Sequence, residues 1–112
     1  MSECPIEVGV REVKAMRDAG DDFLLLDCRR PEEHEFVKIG GELFVPMQEI
    51  SERVAELGED RGKALVVYCH HGGRSLMVAR WLRDQGWSRA QSMRGGIDQW
   101  AEEIDPSLPR YG

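Results

Sequence analysis

The sequence predicts an α/β domain: a central parallel five-stranded sheet with helices on both faces. Three observations lead there. Short β-rich runs alternate with segments of helical periodicity along the chain, the pattern of strand-helix-strand crossovers. The run Ala64-Leu65-Val66-Val67-Tyr68 is apolar at every position, which fits a strand covered on both sides better than one with a solvated face. At 112 residues the chain has the length of one domain and can bury one core, so a single domain over residues 1–112 is expected.

The elements follow in order. Ile6-Glu7-Val8 is a short strand, and residues 11–19 carry Val13 and Met16 at helical spacing until Gly20 stops the helix. Residues 23–27 form the second strand, Phe-Leu-Leu-Leu-Asp. Pro31 opens a brief helix at a position where its missing N–H is harmless. A short strand over 43–45 precedes a helix over 47–57 with Ile50, Val54 and Leu57 on one face. After the apolar fourth strand comes a helix over 74–85, which Ser75 or a loop residue would cap, then a strand over 90–93 and a last helix over 96–104. The tail from Asp105 to Tyr111 is broken by Pro106 and Pro109 and is expected to lie over the domain surface. Trp81, Trp87 and Trp100 are expected in the packing.

Composition removes several function classes. A formal net charge of −6 disfavours nucleic acid as a partner, since phosphate contacts need clustered Lys and Arg. The start Met1-Ser2-Glu3-Cys4 lacks the basic and apolar parts of a secretory signal, and no apolar run approaches a membrane span, so a cytoplasmic protein with no membrane partner is expected. Three cysteines cannot all pair within one chain, and a reducing compartment keeps them as thiols.

The chemistry concentrates in Cys69-His70-His71-Gly72-Gly73-Arg74-Ser75. Cys69 ends the buried strand, and ligands of open α/β sheets bind outside the carboxyl ends of the strands. Gly72 and Gly73 let the backbone curl, and the following helix presents its N-terminus to the same place. Backbone N–H groups there favour an anion, and a thiolate is the nucleophilic form of cysteine. Arg74 adds a permanent cation with paired donors for an oxyanion. A purely structural cysteine needs no such cradle, so Cys69 is read as a nucleophile.

This loop resembles that of the single-domain rhodaneses, sulfurtransferases whose cysteine carries a persulfide. Three further stretches are similar to the family's motifs: Leu24-Leu25-Leu26-Asp27-Cys28-Arg29-Arg30-Pro31-Glu32-Glu33-His34-Glu35, the segment from Ile39 to Pro46, and Met93-Arg94-Gly95-Gly96-Ile97-Asp98-Gln99-Trp100. They occur in the family's order and span nearly the whole chain. The departures are Gly40 in place of proline, Glu42 in place of alanine, which predicts a looser or reshaped turn before Phe44, and Cys28 in place of valine or another small apolar residue. The loop from Cys69 to Arg74 is one residue shorter than that of the cysteine-dependent phosphatases, which resembles the rhodanese form and suits sulfur better than a tetrahedral phosphate.

The resemblance implies a rhodanese-like fold and two-step transfer of sulfane sulfur from thiosulfate or a persulfide to a thiol or cyanide acceptor. Cys69 would be catalytic, and His70, His71, Gly72, Gly73, Arg74, Ser75 and Arg29 would bind the substrate. Alternatives are a sulfur carrier for a biosynthetic partner and a non-catalytic rhodanese-fold binding module. Asp27, Arg29 and Glu33 leave a neighbouring strand toward the cradle; Arg29 either helps hold an anionic donor or fixes its own loop in an ion pair with a carboxylate. Cys28 either packs as a small apolar side chain or resolves the Cys69 persulfide as a disulfide. His70 and His71, with Cys69 and His34, invite a metal reading, but adjacent loop residues rarely converge on one ion, so no metal and no organic cofactor are expected. Partners are a small or protein-borne sulfur donor and acceptor, with the chain a monomer or weak dimer.

Overall fold

The computed structural model of the chain describes residues 4–112; Met1-Ser2-Glu3, the greater part of the stretch read above as lacking a secretory start, lies outside them. The strands are β1 (Glu7–Val8), β2 (Phe23–Asp27), β3 (Leu43–Phe44), β4 (Ala64–Tyr68) and β5 (Ala90–Met93). The helices are α1 (Val10–Asp18), α2 (Pro31–Phe36), α3 (Ile50–Arg53), α4 (Gly73–Asp84) and α5 (Gly96–Glu103). The sheet runs β1-β5-β4-β2-β3 with every neighbouring pair parallel, the arrangement the strand-helix alternation predicts. Among the described residues, no helix is long and apolar enough to cross a membrane.

β4 lies in the middle of the sheet and is buried along its whole length, which is why its sequence shows no polar alternation. Leu65 and Val67 face one core with Val78, Ala79 and Leu82 of α4 and with Trp87. Val66 and Tyr68 face the other with Val10 and Val13 of α1 and Ile97 and Trp100 of α5. Trp81 packs against the first core while partly exposed.

The helix expected over 47–57 is broken into a 3-10 turn, Met47–Glu49, then α3, then a second 3-10 turn, Val54–Leu57. The apolar face nonetheless holds: Ile50 and Leu57 are buried and Val54 packs beside them. Arg53 spans the two junctions with ion pairs to Glu49 at 3.0 Å and Glu56 at 2.7 Å, and Gly58 ends the segment at φ 98°. The turn before β3 is reshaped and also braced. Glu42 accepts the Gly40 N–H at 2.6 Å and pairs with His34 Nε2 at 3.1 Å, and the His34 ring stacks on Phe44.

Two polar ties set the carboxyl edge of the sheet. At the end of β2, Arg29 is fully buried: Nε and Nη2 fork onto Asp27 at 3.0 and 2.7 Å, Nη2 also reaches the Val37 carbonyl, and Nη1 donates to the Tyr111 hydroxyl at 3.0 Å. Of the two roles open to Arg29, it adopts the loop-fixing ion pair; its guanidinium, expected among the donor-binding groups, is occupied inside the fold. The second tie centres on Glu33 in α2, which accepts both ends of the Arg74 fork at 2.6 and 2.9 Å and the Tyr111 hydroxyl at 2.7 Å. Arg74 foremost lowers the Glu33 carboxyl from 4.5 to about 2, with the Tyr111 and Arg30 donors adding to it against the opposing effect of burial. The tail thus crosses the surface as expected but is fastened there, with Arg110 also forked onto Asp98 at 2.9 Å.

Arg29→Met strands the Asp27 carboxylate in the interior and is expected to cost about 3–5 kcal/mol in urea denaturation. Adding Asp27→Leu should recover most of that; a single-variant loss of under about 1 kcal/mol would show that the pair does not hold this edge. Glu33→Gln is expected to cost about 1–3 kcal/mol near neutrality. Because folding lowers the Glu33 pKa, its contribution is complete above 4.5 and disappears as pH falls toward 2. Denaturation of the two proteins across that window should therefore converge at the acid end.

Candidate active site

Cys69 follows directly on β4 at the carboxyl edge of the sheet and is only 1% exposed. Its Sγ faces its own loop, accepting the Gly72 N–H at 3.0 Å and the Ser75 N–H at 3.4 Å, and its thiol lies 3.4 Å from Ser75 Oγ as donor. Gly72 produces this curl with φ 111°, and α4 starts at Gly73, so Gly72 takes the cap position. Ser75 caps nothing. Its hydroxyl instead donates back to the Gly72 carbonyl at 3.2 Å and shares a 2.7 Å hydrogen bond with Ser92 of β5. Gly73 has open space where a Cβ would stand, so it is not required by crowding as Gly72 is by its backbone angle.

The loop is shaped from behind by α5. The Ile97 N–H donates to the Cys69 carbonyl at 2.9 Å and the Asp98 N–H to the His70 carbonyl at 3.1 Å. In a trans peptide the N–H points opposite to the C=O, so this turns the His70 and His71 N–H groups away from α5. Gly96, at φ 62°, makes the approach feasible: a Cβ there would collide with the carbonyl oxygens of both Cys69 and His70.

Arg74, expected to offer an oxyanion its paired donors, stands at the mouth of the cradle with both terminal nitrogens on Glu33. Beside it opens a cleft of about 350 Å³ walled by Glu33, His70, Arg74, Tyr111 and Gly112. The His70 ring is stacked between His71 at 3.8 Å and Tyr111 at 3.9 Å. Burial, and secondarily the neighbouring His71, pushes the His70 pKa down, while burial pushes the Tyr111 phenol up to about 12. The neutral form of His70 is thus favoured, and the Tyr111 hydroxyl keeps its proton and donates it to Glu33. His70, His71 and Asp98 offer ligand atoms within 4.8 Å of one another and are the described residues most able to hold a metal, although Asp98 already carries the Arg110 fork. His34 stands apart from that group, paired with Glu42.

The structure brings Cys69, Gly72, Ser75, Arg74 and His70 together; it turns His71 outward toward Asp98 and keeps Arg29 inside. Sequence reasoning missed Ser92, Tyr111 and the two carbonyl contacts of α5. A serine two residues after Ala90 on the inward face of β5 was the available signal for Ser92. Tyr111 gave none, being an aromatic residue in a proline-broken tail.

A family model described as Rhodanese-like domain matches residues 9–103. A sulfurtransferase of Allochromatium vinosum is 40% identical over 92 residues, covering 82% of this chain and 84% of its own. An adenylyltransferase and sulfurtransferase of Zea mays is 32% identical over 90% of this chain, which spans only 22% of that protein's length. The crystal structure of a rhodanese-related protein from Thermoplasma volcanium superposes with a TM-score of 0.78 at 28% identity, over 89% of this chain and 94% of its own. Shared sequence over most of its length and a shared sheet topology establish that the chain belongs to the rhodanese-like family, in the company of sulfurtransferases.

Proposed function

We propose that the protein is a sulfurtransferase that carries sulfane sulfur on Cys69. The observation that carries this reading is the pair of backbone N–H groups, Gly72 and Ser75, aimed at Cys69 Sγ at the N-terminus of α4. Donors fixed in that geometry stabilise negative charge on sulfur without reorganising during the reaction. With thiosulfate as donor, the Cys69 thiolate attacks the outer sulfur, the sulfur–sulfur bond of the donor breaks, and sulfite leaves with the bonding pair. An acceptor thiolate or cyanide then attacks the terminal sulfur and regenerates the Cys69 thiolate. The two half-reactions predict ping-pong kinetics.

Arg74 and Tyr111 stand where an anionic donor would enter. Because Glu33 compensates the charge of Arg74, the mouth offers directional donors rather than a bare cation. A second reading, as a sulfur carrier serving a larger biosynthetic protein, draws on the maize relative, whose name joins sulfurtransferase to adenylyltransferase in a single chain. Slow transfer from thiosulfate with fast transfer from a protein persulfide would favour it.

Brief exposure of reduced protein to thiosulfate should add one sulfur atom by intact mass, and cyanide should remove it as thiocyanate. Cys69→Ser should abolish the gain; a gain that persists in Cys69→Ser sinks the reading. Gly96→Ala, which pushes the Cys69 and His70 carbonyls off α5, should slow loading by at least about tenfold in stopped-flow measurements if the backbone donors stabilise the transition state. Unchanged loading in a folded Gly96→Ala protein would show that the loop geometry is not what promotes the reaction.

A further inference from the structure

Cys28 has no part in the transfer proposed for Cys69, yet the sheet puts the two side by side. The register of β2 on β4 pairs Leu26 with Val67 and Asp27 with Tyr68. The Cys28 N–H continues that ladder by donating to the Tyr68 carbonyl at 3.1 Å. One residue further along both chains stands Cys28 opposite Cys69. Side chains alternate along a strand, and Leu26, Cys28, Val67 and Cys69 all belong to the core packed on α4. Neighbouring strands lie about 4.8 Å apart, within the roughly 4.4–6.8 Å that a disulfide spans between Cα atoms.

The environment keeps Cys28 quiet. Both cysteines are 1% exposed, so a bulky external thiol has little access to either. Burial, and after it the charge on Cys69, pushes the Cys28 thiol well above its ordinary range, and the S–H rests on the Tyr68 carbonyl at 3.5 Å. It is thus a protonated thiol held beside the sulfur that is to be loaded.

We propose that Cys28 is the resolving thiol of Cys69, discharging a loaded persulfide that meets no acceptor into a Cys28–Cys69 disulfide and free hydrosulfide. This rests on the reading that Cys69 carries sulfur. In the step, the bond between Cys28 Sγ and Cys69 Sγ forms while the bond from Cys69 Sγ to the outer sulfur breaks. The outer sulfur leaves with the bonding pair and takes the Cys28 proton. Sulfane sulfur is reduced to sulfide, the Cys28 thiol is oxidised to the disulfide level, and no outside oxidant is consumed. Because burial disfavours the Cys28 thiolate, this discharge is slower than transfer to an external acceptor and shows only when none is present. The product is locked until a reductant opens it, which makes the pair a limit on how long the protein stays loaded.

The test uses the full chain with Cys4→Ser, to remove the third thiol, and the same protein with Cys28→Val, whose thermal melt confirms folding. Each is reduced, loaded with thiosulfate, desalted, and followed by intact mass and free sulfide. The one-sulfur adduct is expected to decay to a species lighter than the reduced protein by two hydrogens, with release of sulfide and a Cys28–Cys69 linked peptide on digestion. Cys28→Val should hold its adduct at least about tenfold longer and release no sulfide. An adduct that lasts equally long in both proteins overturns the discharge alone; an adduct that never forms overturns it together with the sulfur-carrying reading. Diamide, which oxidises neighbouring thiols without any loading, should give the same linked peptide, and its absence overturns the pairing itself.

Discussion

The course of the loop after β4 depends on the N-terminus of α5 reaching it. The Ile97 and Asp98 N–H groups take the Cys69 and His70 carbonyls out of the loop's interior, and only a residue without a side chain at position 96 lets the two backbones come so close. Once those carbonyls are bound, planarity of the peptide turns the adjoining N–H groups the other way, and the left-handed Gly72 folds the chain back onto Cys69 Sγ. The donors at the sulfur are the Gly72 and Ser75 N–H groups, which lie further along the same loop that α5 holds by its first two carbonyls. The distant motif around Gly95 and Gly96 and the local motif after Cys69 are two halves of one device.

Charge at the mouth is arranged by compensation. The chain is acidic overall, yet Arg29 and Arg74 at this edge are each forked onto a carboxylate, with Tyr111 donating to Glu33 while accepting from Arg29. Such networks fix geometry more than they add affinity, since each cation is largely spent on its partner. The cleft is thus walled by oriented groups on a braced frame rather than by a bare cation. The same frame joins β2, α2, α4 and the tail, so the elements that carry the site are coupled through side chains as well as through the sheet.

What the sequence disclosed is what depends on neighbours in the chain. The apolar run of β4, the glycines after Cys69 and the Pro31 start of α2 each declare themselves over a few residues, and strand-helix alternation extends that to a parallel sheet. The pairing of Arg74 with Glu33 was less accessible: both residues could be placed near the cradle, but which cation takes which carboxylate is decided by side-chain reach across 41 positions of chain. Tyr111 acts through contacts with no local signature at all, and Ser92 shows only the inward alternation of β5, which does not name its partner. The segment 47–57 shows the opposite failure, where a correct apolar face was read as one regular helix. Period alone does not distinguish α from 3-10 winding over so few turns, and the Arg53 pairs hold the tighter ends.

The fastening of the tail has a practical side. Gly112 forms part of the wall of the cleft beside Arg74, and Tyr111 just before it is stacked on His70. A bulky group attached at Gly112 would stand at the mouth, where it would crowd an approaching partner and the Tyr111 contacts with Glu33 and Arg29. Fluorophores and surface tethers attached at that position would report on their own interference.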